Sequence, residues 1–139
     1  MRRYLVVANQ TLAGGHLVSK VRELMAAGPS RFHVLVPATP PRDHPWTEAE
    51  ARAIAEERLR VALDRFRGMG AEVDGEVGDE RPMQAITDVL ELESFDAIVL
   101  STLPPGPSRW LRFDLPHRVE SSFGLPVIHL IGHPEPASR

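Results

Sequence analysis

Short apolar runs rich in valine and isoleucine alternate with longer segments of helical periodicity from one end of the chain to the other. This alternation constrains the fold more than any other feature. The runs fall at 3–8, 31–38, 71–78, 95–101 and 125–131. "RYLVVA" and "FDAIVLS" are apolar almost without interruption, which suits strands buried on both faces of a parallel sheet. The run at 71–78 is more polar, so it reads as an edge strand. Helical segments lie between the runs. Leu17, Val21, Leu24 and Met25 share one face of a helix over 17–27, ended by Gly28-Pro29. Thr47 and Glu50 have capping-box spacing. They open a helix whose stripe is Ala51, Ala55, Leu59, Ala62, Phe66 and Met69. Further helices are expected over 79–93, with Pro82 near its first turn, and over 115–123, ended by Gly124.

A β-α-β-α-β-α-β-α-β order with right-handed crossovers predicts a three-layer α/β/α, Rossmann-like fold. Its five parallel strands are expected in the order 3-2-1-4-5. The order reverses between strands 1 and 4, so a ligand crevice is expected at their carboxyl ends. Those ends are "ANQTLAGG" (8–15) and "STLPPGPSRWLRFDLPHRV" (101–119).

The 139 residues suit one domain over 1–132, followed by a disordered tail over 133–139. A net charge of −3 offers no basic surface for nucleic acid. No apolar stretch approaches the roughly 20 residues of a membrane span. The first apolar run is too short for a signal-peptide core, so a cytoplasmic protein is expected. With no cysteine, disulfides and thiolate chemistry are excluded. The six histidines lack the spacing of a metal site, and none is assigned.

Val77, Gly78 and Asp79 form a Val-Gly-Asp turn ahead of an amphipathic helix, and 96–102 is an acidic residue followed by an apolar strand ending in Ser-Thr. This segment resembles the strand 3–helix 3–strand 4 unit of universal stress proteins. Arg118, Val119, Pro126 and Val127 match the family's last helix and strand. The resemblance follows the whole chain in element order and length, and is weakest over the first 70 residues. ATP-binding members carry Gly-x2-Gly-x9-Gly-Ser/Thr after strand 4 and an aspartate just after strand 1. Here Asn9 stands in the place of that aspartate. The first two motif glycines fall among Pro104, Pro105, Gly106 and Pro107, and the last pair falls on Phe113-Asp114. The resemblance therefore implies a divergent, non-enzymatic stress-response or regulatory protein that does not bind ATP in the usual mode. It also implies a homodimer through the last strand, 126–131.

Physical reasoning supports the altered loop. A phosphate nest needs successive backbone N–H groups, and between 103 and 108 only Leu103, Gly106 and Ser108 have one. Asp114, at the expected N-cap, would lay its carboxylate over the first-turn N–H groups. Arg109 and Arg112 bring positive charge to the same rim, and Trp110 offers a stacking face. Two arrangements follow: the arginines pair with Asp114, or they clamp an incoming phosphate or carboxylate. The second keeps ATP or AMP as a ligand, contacted by Asn9, the backbone near Val36, Thr102, Gly106, Ser108, Arg109 and Arg112. A further alternative is a small hydrolase with His117 as general base and Ser101, Thr102 or Ser108 as its hydroxyl partner. His16 reads as structural or exposed.

Overall fold

The computed structural model of the protein describes residues 1–40, 45–104, 110 and 114–132. The elements are β1 (Arg2–Val7), α1 (Gly15–Ala27), β2 (Ser30–Pro37), α2 (Glu48–Gly68), β3 (Glu72–Gly78), α3 (Pro82–Leu92), β4 (Ala97–Thr102), α4 (Leu115–Phe123) and β5 (Val127–Ile131). All five strands are parallel and lie in the order β3-β2-β1-β4-β5, as expected from the alternation. The polar strand, β3, is at one edge and β5 at the other.

Side chains alternate across the sheet and feed two apolar layers. Tyr4, Val6, Phe32, Val34 and Val99 face α1 and α2. Leu5, Val7, Leu35, Ile98 and Leu100 face α3 and α4. The stripe of α2 is built mainly from alanines: Ala51, Ala55 and Ala62 are buried beside Phe66, which lets the helix lie close to β2 and β3. Among the described residues, no helix is long and apolar enough to cross a membrane.

Boundaries moved by a few residues, each for a local reason. The Thr47 hydroxyl accepts the Glu50 N–H at 3.1 Å, so the N-cap forms. The Glu50 carboxylate, however, accepts from the Thr47 hydroxyl at 3.0 Å and so does not complete the reciprocal box. Helix α3 starts at Pro82, three residues later than the expected 79, because the Asp79 carboxylate accepts the Arg81 N–H at 2.8 Å and closes a turn first. Strand β4 starts at Ala97. The tail 133–139 lies outside the described residues.

Candidate functional site

Strands β1 and β4 are neighbours, and the chain leaves them toward opposite faces of the sheet, so the switch point lies between their carboxyl ends. Successive residues of β4 serve the two faces. Ser101 turns toward α1 and Thr102 toward α4. Both are buried.

On the α1 side, Ser101 Oγ is hydrogen-bonded to Thr11 Oγ1 at 2.5 Å and to His16 Nε2 at 2.7 Å. The imidazole of His16 rests against two glycines, Gly14 at the N-cap of α1 and Gly132 just past β5. A Cβ on either would overlap the ring. Gly14 has an ordinary φ of −69°, so the need for glycine there is one of space rather than of backbone conformation. The ring thus joins the β1–α1 turn to the ends of β4 and β5.

On the α4 side, the Thr102 hydroxyl lies 2.8 Å from His129 Nε2, and its carbonyl accepts the Gly132 N–H at 2.9 Å. Burial holds the His129 imidazole below the ordinary histidine value of 6.5, because desolvation penalises the charged form. The folded state therefore binds fewer protons than the unfolded chain. The stability contributed by neutral His129 is whole above pH 6.5 and is lost as pH falls through the lower folded-state value. The urea midpoint is expected to fall on acidification below that pH, and His129→Asn to remove part of the slope. Equal slopes in the two proteins would contradict this.

Asn9 ties the ends of three elements together. Its Nδ2 donates to the Pro37 carbonyl at 2.8 Å and more weakly to that of Thr39 at 3.4 Å, while its Oδ1 accepts from Arg58 Nη1 of α2 at 2.7 Å. Arg65, two helical turns along, donates to the Ala13 carbonyl at 2.6 Å. Both amide ends of Asn9 are thereby engaged within the protein. Val36 is fully buried near the end of β2.

A cleft of about 490 Å³ opens on the α3/α4 side of the carboxyl ends. Its lining includes Trp110, Leu115 and Arg118, Arg81 and Met83, and the acidic Glu80. Its size is that of a small-ligand pocket, and its walls combine apolar surface with two arginines and one glutamate. Arg81 is bonded to Asp79 at 3.1 Å, and this bond, reinforced by the Arg81 backbone N–H, holds the Asp79 carboxyl below its usual range. Among the described residues, Arg118 makes no side-chain hydrogen bond or ion pair.

Gly106, Ser108, Arg109 and Arg112 lie outside the described residues. Asp114 is the N-cap of α4, but its carboxylate makes no capping bond, which corrects the expectation. The residue sits in the left-handed region at φ 53°, ψ 45° instead of the extended conformation that aims a cap inward, and Pro116 in the first turn has no N–H to receive it. His117 is on the exposed face of α4, 3.4 Å from Ser121 Oγ. Two of its expected partners, Ser101 and Thr102, are engaged by other histidines. The imidazole that meets Ser101 is that of His16, 85 residues away in the chain. Gly14 and Gly132, the only local hints of a ring packed closely, are uninformative until the fold brings them together. No group of three or more histidine or acidic side chains among the described residues could hold a metal ion.

The chain is similar to a crystal structure of a universal stress protein in complex with cAMP, with a TM-score of 0.59 and 17% identity over 96% of this chain and 98% of that one. No family model and no curated protein sequence matches it. At that identity the likeness shows the fold: the chain has the five-stranded universal stress protein architecture.

Proposed function

We propose that the protein is a cytoplasmic, non-enzymatic regulatory protein of the universal stress type that holds an adenine nucleotide through side chains instead of a backbone phosphate nest. The observation that carries this reading is the cleft beside Trp110. An indole at its wall offers a stacking surface, Leu115 and Met83 supply apolar contact, and Arg118 supplies a guanidinium with no partner among the described residues. The similar solved structure holds cAMP, a nucleotide with a single phosphate. The usual ATP mode is disfavoured because Asn9 stands where an aspartate would face the base, and both ends of its amide are engaged by Pro37 and Arg58.

Calorimetry with cAMP and AMP tests the reading. Binding is expected, and Arg118→Ala should weaken it about tenfold or more, the worth of a charge-assisted hydrogen bond. Absence of binding by both nucleotides at millimolar concentration would overturn it. A hydrolase reading is less well supported: the hydroxyl nearest an imidazole, that of Ser101, is only 1% exposed and so closed to substrate.

The proposal includes a two-fold dimer through 126–131. Among the described residues β5 pairs only with β4, its residues are only half-buried, and Ile131 is 52% exposed. Sedimentation is expected to show a dimer that Ile131→Asp converts to monomer. A monomer at high concentration would exclude it.

A further inference from the structure

We infer that a second copy of the chain pairs with β5 about a two-fold axis at His129, so that acid takes the pair apart. The inference rests on the dimer reading and adds its register and its regulation. The register follows from which backbone groups of β5 are already used. The Ile98 N–H donates to the Pro126 carbonyl and the Gly132 N–H to that of Thr102, both at 2.9 Å. Backbone direction alternates along a strand, so residues 126, 128, 130 and 132 turn their polar groups toward β4. Val127, His129 and Ile131 turn theirs away from it.

A two-fold axis can join two copies of one strand edge to edge only in the antiparallel sense, with the axis perpendicular to the sheet. Such an axis keeps each face of the sheet on its own side, so opposite residues must share a face. Centred on His129, the pairing sets His129 opposite His129 of the second copy and Val127 opposite Ile131. Every outward N–H and C=O of the strand then has a partner. Moving the axis one residue along sets Val127 or Ile131 against a residue outside the strand. The central register also lays the exposed Ile131 beside Val127 of the second copy, on the α4 face.

This register brings two imidazoles together. Opposite residues of an antiparallel pair have their Cβ atoms about 5 Å apart, and like charges placed there repel. Each His129 ring is half-buried, with Nε2 2.8 Å from Thr102 Oγ1. Its surroundings offer nothing to balance a proton. On β4, Leu100 and Thr102 stand beside it and carry no charge. Helix α4 turns Leu115 and Val119 to the sheet, and its His117, Arg118 and Glu120 are exposed. Helix α1, with Lys20, Arg22 and Glu23, packs on the other face, where Ile128 and Leu130 lie. Desolvation is the one cause that holds the His129 imidazole below 6.5. Pairing desolvates the ring further, so protons bind the separated copies better than the pair. The dimer is therefore at full strength above pH 6.5 and weakens as pH falls through the lower value of the separated copies. Two protons are taken up per dimer, so the dissociation constant can rise by up to about a hundredfold per pH unit.

Sedimentation of the full chain at about pH 7.5 and about pH 5.5 tests this, with circular dichroism confirming the fold at each. The dissociation constant of the wild type is expected to rise about tenfold or more in acid, and that of His129→Gln, which takes up no proton there, to change by less than about threefold. A wild-type dimer equally tight at both pH values overturns the inference and leaves the dimer reading standing. So does a folded His129→Gln dimer that weakens as much as the wild type. A wild type that is monomeric at both removes the dimer reading and the inference with it. Where His129→Gln does not pair, or the wild type unfolds in acid, dilution calorimetry of the wild type at about pH 6 in two buffers of different ionisation enthalpy decides. Proton uptake on dissociation is expected, and its absence overturns the inference.

Discussion

Phe32→Ala is expected to destabilise the protein by about 3–5 kcal/mol, the cost of emptying an aromatic site in a core that cannot collapse. Phe32 lies on β2 with 1% of its surface exposed and stacks on Tyr4 of β1, ring centroids 5.5 Å apart and planes 19° from parallel. Strand β2 is held on both sides, by β1 and by β3, so its backbone cannot move in to fill the space. Domains of this kind are stable by about 5–15 kcal/mol in all, so the loss is a large fraction of the total. Urea denaturation should show a much lower midpoint with an unchanged slope. A loss below about 1 kcal/mol would mean that the site relaxes and the Tyr4–Phe32 pair does not anchor that side of the sheet.

Gly132→Ala is expected to cost about 1–3 kcal/mol, although it adds only a methyl group. The new Cβ would overlap the His16 imidazole, and the ring can escape only by leaving Ser101. The effect should therefore depend on His16. In the double variant His16→Ala/Gly132→Ala the ring that the methyl would overlap is gone, and the combined loss should fall short of the sum of the single losses by about 1 kcal/mol or more. Additivity within about 0.5 kcal/mol would show that the ring and Gly132 are energetically independent.

The fold was legible because its signals are local. Apolar runs of strand length, the alanine stripe from Ala51 to Ala62 and the Thr47 cap each read correctly from a handful of neighbouring residues. Once the β-α alternation is set, handedness leaves few ways to order the strands, and the observed order is the expected one. The polar run at 71–78 marked β3 as an edge for the same reason, since a strand paired on one side can tolerate acidic residues.

The site was less legible than the fold. The crevice was expected at the ends of β1 and β4, whereas the cleft beside Trp110 is lined from the segments after β2 and β3 and from α4, with no residue of 8–15. His117 was preferred over His16 because it lies close in sequence to the loop after β4, but helical geometry turns it outward. Asp114 was expected to cap α4 on the strength of residue type, and its left-handed backbone overrides that preference. Arg58 was not singled out at all, since nothing in an exposed-looking run of charges marks the one arginine that reaches Asn9.

By itself, then, the sequence determined the layers and the strand order, both of which follow from periodicity and chirality over short stretches. The tertiary structure alone decided which side chains meet at the carboxyl ends of the strands. Thr11, His16, Ser101 and Gly132 meet through contacts between residues 85 to 116 positions apart, and Asn9 meets Arg58 across 49. Such contacts depend on how the ends of β1, β2 and β4 meet the helices α1 and α2, and a meeting of that kind leaves no periodic trace in any one segment.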